Sequence, residues 1–400
     1  MRRSYTIKKS ELISNIYIFL LCVYAAATVL ASSNITHIFF IKKSSVYTFV
    51  GQWIAPLLFI LFLYAGKLKK SKLVLMSALS ILVFAITIKS QNRGFSIMYA
   101  AMLAYPINLQ AKKVSKWICR TIMLASLTVL FLFICGLIPG DINLRGTITR
   151  YSCGFSSPNA FGNTVLIWMI IYIYTKFEKW NWKKFILCLV IACTTYKITN
   201  SRMSLLIELF LILMICIWVI KKGHIKNGLY NFASIIYSVA TLLCLVLTIV
   251  YSKGIFYRQL SVLNVFMSYR LGFMRNYYQN YGIKLFGQGI VTVSRTQQLA
   301  TGEAWSGIDN SYMYIMICWG FVISIVFCIL YFKVGQYLKR KGDYIGAVVI
   351  IALCIVGLTE SYLSNIAYNF AAILIAEMLS TSLRKKKREA IYEPRFNSNN

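Results

Sequence analysis

The chain has 400 residues, of which 58% are hydrophobic and 14% charged, and a formal net charge of +32. A soluble domain carries about 25% charged residues, so a soluble globular class is excluded. The basic residues stand in small clusters between apolar runs, which orients membrane spans and argues against nucleic acid as a partner.

The apolar runs are continuous, without the strict alternation of a membrane β-strand. Most are about 18–22 residues, enough to cross ~30 Å of hydrocarbon. The expectation is an all-α, polytopic helical membrane protein with about twelve transmembrane helices and a long extracytoplasmic loop before the tenth. In chain order the spans are predicted at 13–31, 49–66, 73–89, 94–110, 118–138, 159–175, 185–199, 203–220, 232–251, 310–332, 344–359 and 365–383. The first run is too long for the apolar part of a cleavable signal peptide and lacks a small-residue cleavage site.

With the N-terminus in the cytoplasm, 29 of the 43 basic residues fall in inner gaps or the C-terminal tail. Both termini are then cytoplasmic. Residues 1–383 read as one membrane domain and 384–400 as a basic cytoplasmic tail, disordered after Arg388. Arg makes up 7 of the 29 inner basic residues but 8 of the 14 others. Topology needs only positive charge, whereas the planar guanidinium binds phosphate or carboxylate through two parallel hydrogen bonds. The Arg-rich outer face therefore points to an anionic ligand. Ten of the eleven cysteines lie in or beside apolar runs, as packing residues. The only histidines are His37 and His224, and no cluster has metal-ligand spacing, so neither a metal nor another cofactor is expected.

Two outer segments are long, 139–158 and about 252–309. The first leads into RYSCGFSSPNAFG (150–162). Gly154 and Pro158-Asn159 favour a turn, and Asn159 is expected to cap the sixth span. On those facts alone this is a loop and a capped helix. Arg145 and Arg150 beside the helix N-terminus would make it an anion site. At TNSRMS (199–204), Arg202 opens the eighth span, either snorkelling to headgroups or binding a ligand. Glu208 lies six residues on, about 120° around the helix, so it does not simply neutralise Arg202. A carboxylate within a span is a functional or pairing candidate.

In the long loop, Leu263, Phe266, Met267, Leu271, Met274 and Tyr278 keep helical spacing, predicting an amphipathic helix over Ser261–Tyr281. Arg270 falls within that stripe and Arg275 at its border, so Arg270 is expected to face protein or headgroups rather than water. LFGQG (285–289) is a Gly-bearing turn too short for a nucleotide fingerprint. In GIDNSYMYIMICWGF (307–321), Asp309 and Asn310 are expected to cap the tenth span. The outer carboxylates are Asp141, Glu303, Asp309 and Glu360, the last in TESYLSN (359–365) between the final two spans. Asp309 and Glu360 stand at span mouths, where a helix end can steady a base.

These segments, in this order, resemble the O-antigen polymerase and ligase family, the Wzy-type polysaccharide polymerases. Arg150 with GFSSPN is similar to that family's R…GF..PN element, and NSRMS to its SR element at a span start. YRLGF followed by LFGQG is similar to the long-loop element, and DNSYMYIMICWGF to the HN…G or DN…G element. The likeness covers roughly residues 140–370. It implies transfer of a glycan from a polyprenyl diphosphate carrier on the outer leaflet, by inversion and without a metal. The substrate would be a polyprenyl-diphosphate-linked oligosaccharide. The resemblance assigns donor and glycan binding to Arg150, Arg202 and Arg270, with Arg145, Arg275, Asn159 and Asn310 beside them. It makes Asp309 the candidate base, with Glu360 second. Asp309 stands where ligases usually carry His, which favours the polymerase branch. The alternatives are a flippase for the same lipid-linked oligosaccharide, a ligase, or a scaffold without chemistry. A flippase and a chain-length regulator of the same pathway are the expected partner proteins, alongside the lipid bilayer.

Overall fold

A computed structural model describes residues 2–35, 43–65, 70–221, 227–293 and 306–392. Among them the helices are α1 (Arg2–Ala31), α2 (Lys43–Ala65), α3 (Lys70–Ser90), α4 (Gly94–Ala104), α5 (Ala111–Ile134), α6 (Pro158–Lys176), α7 (Trp182–Thr199) and α8 (Arg202–Ile220). They continue as α9 (Gly228–Ser252), α10 (Tyr257–Phe266), α11 (Arg270–Tyr281), α12 (Ser311–Tyr314), α13 (Phe321–Lys341), α14 (Tyr344–Gly357) and α15 (Ala371–Tyr392). A hairpin, β1 (Ile142–Arg145) and β2 (Ile148–Tyr151), precedes α6.

Every expected span is wholly or mostly helical. Among the described residues six helical stretches are long and apolar enough to cross a bilayer: Lys9–Ala31, Ala111–Ile134, Pro158–Lys179, Arg202–Ile220, Gly228–Ser252 and Phe321–Lys341. Phe49–Ala65, Met76–Ser90, Gly94–Ala104, Tyr344–Gly357 and Ala371–Thr381 are shorter apolar helices. Leu124, Leu127, Phe131, Leu206, Leu213, Leu242 and Val246 are exposed, as side chains facing lipid are. The interior is aromatic: Tyr237 stacks on Tyr331 with centroids 4.1 Å apart, joining α9 to α13, and meets Tyr312 at 5.1 Å.

Several boundaries depart from the expected ones for identifiable reasons. Helix α4 stops at Ala104 because Tyr105 precedes Pro106 and is extended. Helix α15 begins at Ala371 rather than 365, since Asn369 is pinned in a turn by the Tyr331 hydroxyl (3.0 Å) and the Leu363 carbonyl (2.8 Å). It also runs to Tyr392, so residues 389–392 of the expected disordered tail are helical. The single amphipathic helix expected over Ser261–Tyr281 is two helices, broken where Ser268 and Tyr269 take left-handed φ of 53° and 66°.

The largest correction concerns 310–332, expected as one helix. Helix α12 passes into a π-helical turn (Ile315–Trp319) and stops at Gly320, with φ 102°, before α13 begins. The LFGQG segment docks in this break. Phe321 N–H donates to the Lys284 carbonyl (3.0 Å), Val322 N–H to Leu285 (3.2 Å), and Gln288 N–H to Cys318 (3.1 Å). The loop thus satisfies backbone groups that a helix end leaves open, the condition for broken helix at membrane depth. A Cβ on Gly320 would strike the backbone of Gly287 and Leu285, and one on Gly287 the Cys318 carbonyl. Both positions need glycine for close approach as well as for positive φ.

Candidate functional site

The hairpin sets the first side chains. Its register pairs Asn143 with Arg150 and Arg145 with Ile148, around a Gly146-Thr147 loop in which Gly146 supplies φ 61°. Strand alternation puts Arg145 and Arg150 on one face and the exposed Ile142, Leu144 and Tyr151 on the other.

Arg150 is buried and held by protein. Its Nε donates to the Thr199 carbonyl at 2.6 Å and its Nη2 to Asn159 Oδ1. It ties the hairpin to the end of α7 and the start of α6. Asn159 is therefore not the cap of α6. Ser157 is, accepting from Ala160 N–H at 3.1 Å with Pro158 at the first helical position.

Arg145, Arg202 and Arg270 come together on one side. Arg145 donates to Ser268 Oγ at 3.2 Å. Partial burial, then the charges of Arg202 and Arg270, pull its pKa down, although a guanidinium remains protonated. Arg202 is exposed at the first position of α8, whose N-cap Ser201 makes no side-chain cap bond. An anion here would relieve three mutually repelling charges.

Arg270 opens α11, with its side chain 11% exposed. Nε donates to the Thr359 carbonyl at 2.7 Å, and Nη2 pairs with Glu360 Oε1 at 3.0 Å. Asn163 lies close to both Glu360 and Tyr362. Asn163 Oδ1 accepts from Ser204, which bonds Ser201. The Ser311 hydroxyl bridges the Glu360 carbonyl (2.5 Å) and Leu363 N–H (3.0 Å).

Asp309 stands beside this pair. The cap of α12 is Asn310, accepting from Met313 N–H at 2.9 Å and donating to the Leu358 carbonyl at 3.0 Å. The expectation that both residues cap is corrected: Asp309 has no capping duty. Among the described residues no hydrogen bond reaches its carboxylate. Burial raises the Asp309 pKa against the pull of Arg270. Burial and then the Asp309 charge push Glu360 from 4.5 to about 7, opposed by Arg270 and Asn163. Two carboxylates in one pocket do not both ionise readily.

Arg275 lies elsewhere. Its guanidinium packs 5.1 Å from the Tyr251 ring and 5.9 Å from Tyr257, with Nε buried and unbonded. Glu208 is buried in α8, and its Oε1 has no partner among the described residues. Glu303 lies outside the described residues. Asn163, Ser204, Ser311 and Tyr362 were missed in the sequence, although Asn163 lies one residue beyond the PNAFG turn.

No protein-family model matches the chain, and no curated protein or solved structure matches it either. The fold and site define a helical membrane protein with a cation cluster and a carboxylate pair joined through Arg270.

Proposed function

We propose that the chain is a membrane glycosyltransferase that polymerises polyprenyl-diphosphate-linked oligosaccharide repeat units into a surface polysaccharide, by inverting transfer on the outer face of the cell membrane. One observation carries this reading. Arg270 stands between Arg145 and Arg202 on one side and Asp309 and Glu360 on the other. The first group suits a diphosphate and the second suits a proton.

In this account Arg145, Arg202, Arg270 and the first N–H groups of α8 hold the donor diphosphate. Asp309, free of capping, takes the proton of the acceptor hydroxyl. The acceptor oxygen bonds to the anomeric carbon from the face opposite the carrier, while the carbon–oxygen bond to the diphosphate breaks. Its electron pair leaves on the diphosphate, whose charge the guanidiniums balance. Asn163 and Arg270 orient Glu360, and Arg150 and Asn159 brace the hairpin that carries Arg145. The chain crosses the membrane twelve times, both termini lie in the cytoplasm, and a flippase and a chain-length regulator act beside it.

A flippase for the same lipid-linked glycan is the second reading. The observation in its favour is that α4 has 11 residues and α14 has 14, about 16 and 21 Å. Both fall short of ~30 Å; on this second reading they would be broken helices, with Glu360 following one that stops inside the bilayer, as in transporters. Purified protein in detergent, given lipid-linked repeat units without ATP or an ion gradient, separates the two. Polymerisation yields a size ladder. Translocation in vesicles with no ladder in detergent identifies the flippase.

A further inference from the structure

A cavity of about 440 Å³ opens between the α3–α4 junction, Tyr314 and the loop after α14. It lies within the range of small-ligand pockets, roughly 300–1,000 Å³. Its wall includes Asn92, Arg93, Tyr314, Ser361, Tyr362 and Asn365, and is more polar than apolar.

The lining is organised. Asn92 Oδ1 accepts from Gly94 N–H at 2.8 Å, and its Nδ2 donates to the Tyr314 hydroxyl. Asn365 Oδ1 accepts from Ala367 N–H at 2.9 Å, fixing that amide. Tyr362 and Tyr368 stand with ring centroids 4.7 Å apart. No carboxylate lines the cavity, and none of Arg145, Arg202 and Arg270 does. Hydroxyls, amides, tyrosine rings and the Arg93 guanidinium, without an acidic group, suit a polyhydroxyl ligand rather than a metal cation. Tyr362 is shared: it lines the cavity and lies close to Asn163 and Glu360.

We infer that this cavity is a saccharide subsite that holds the end of the acceptor glycan, with a hydroxyl directed past Tyr362 toward Asp309 and Glu360. The inference rests on the transferase reading for its role, though not for the binding itself. Donor and acceptor then approach the carboxylates from different sides, the diphosphate from the guanidiniums and the sugar from the α3–α4 junction.

The test is equilibrium binding to the full-length protein in detergent. The probe is the oligosaccharide released by mild acid from the host's own lipid-linked repeat units. Gly51→Leu fills the cavity from α2, where an added Cβ meets only Ile97 Cδ1, at 3.6 Å, and leucine favours helix. Asn365→Ala removes a lining amide. Both variants are expected to bind the oligosaccharide about 10-fold or more weakly than wild type. Polyprenyl diphosphate binding, read on the same samples, is expected to stay unchanged and reports an intact fold. No oligosaccharide binding by wild type, or equal binding by wild type and Gly51→Leu, overturns the subsite. Cavity-dependent binding without any polymerisation leaves the saccharide site standing and removes the transferase reading alone.

Discussion

Arg270 and Glu360, ninety positions apart, form an ion pair of 3.0 Å with side chains only 11% and 15% exposed. One guanidinium thus pairs with a carboxylate on one side and meets the like charges of Arg145 and Arg202 on the other. On the proposed function, a diphosphate arriving at the cluster would compete with Glu360 for Arg270.

That competition has a pH dependence. Glu360 is raised from 4.5 to about 7, by burial first and the Asp309 charge second. Below about 7 the carboxyl is neutral and releases Arg270 to the donor; above it the ion pair tightens. The donor KM is expected to rise as pH climbs through 7, and Glu360→Gln to flatten that rise. Stability follows the same sign. The fold favours the protonated acid, so this contribution is complete below about 4.5 and lost as pH rises through about 7. Thermal melts from pH 4 to 8 should slope downward in wild type and less so in Glu360→Gln. A KM independent of pH would remove the competition.

The arginines divide by partner. Arg145→Lys, Arg202→Lys and Arg270→Lys keep charge but lose the fork. Each is expected to lower transfer roughly 10-fold or more, as loss of a charge-assisted bond of about 1.5–3 kcal/mol would. Arg150→Lys loses bonds to Thr199 and Asn159 instead, so its main effect is expected in melting temperature. Equal melting of wild type and Arg150→Lys would show that this guanidinium braces nothing.

Asp309 and Glu360 can be separated. Since Asn310 is the cap, Asp309→Asn costs no cap and removes a buried charge beside Glu360, so it should not lower melting and should remove transfer. If Asp309→Asn transfers normally and Glu360→Gln does not, Glu360 is the base. Normal transfer by both variants leaves the leaving group's stabilisation as the whole mechanism.

The docked break at Gly320 is expected to tolerate no side chain. Gly320→Ala adds positive-φ strain of about 1–3 kcal/mol and a clash with Gly287. Gly287→Ala meets the Cys318 carbonyl. Both variants should express poorly or melt lower, and wild-type melting by either would place the break elsewhere.

Much of the helical layout was legible because each helix leaves a continuous apolar run. The break at Gly320 was not, since WGF sits inside such a run and its partner loop lies more than thirty residues upstream. The hairpin strands, four residues each, carry little pattern, although Gly146-Thr147 is a readable turn. Ser157 before Pro158 is a cap signature that outranks Asn159. Adjacent Asp309 and Asn310 are equal candidates by type, and only geometry chooses. That Arg270 turns away from water was legible from its stripe, even though the stripe belongs to two helices. That Arg150 serves a backbone carbonyl was not, because no side-chain pattern reveals Thr199 as its partner.

The most direct measurement is the release of free polyprenyl diphosphate by purified protein supplied with lipid-linked repeat units, without ATP, alongside sizing of the glycan. One carrier is expected to be released for each repeat joined, with release lost in Asp309→Asn and strongly reduced in Arg270→Lys. A wild-type protein that releases no carrier and lengthens no glycan, while still moving the lipid-linked unit across vesicles, would contradict the proposed function.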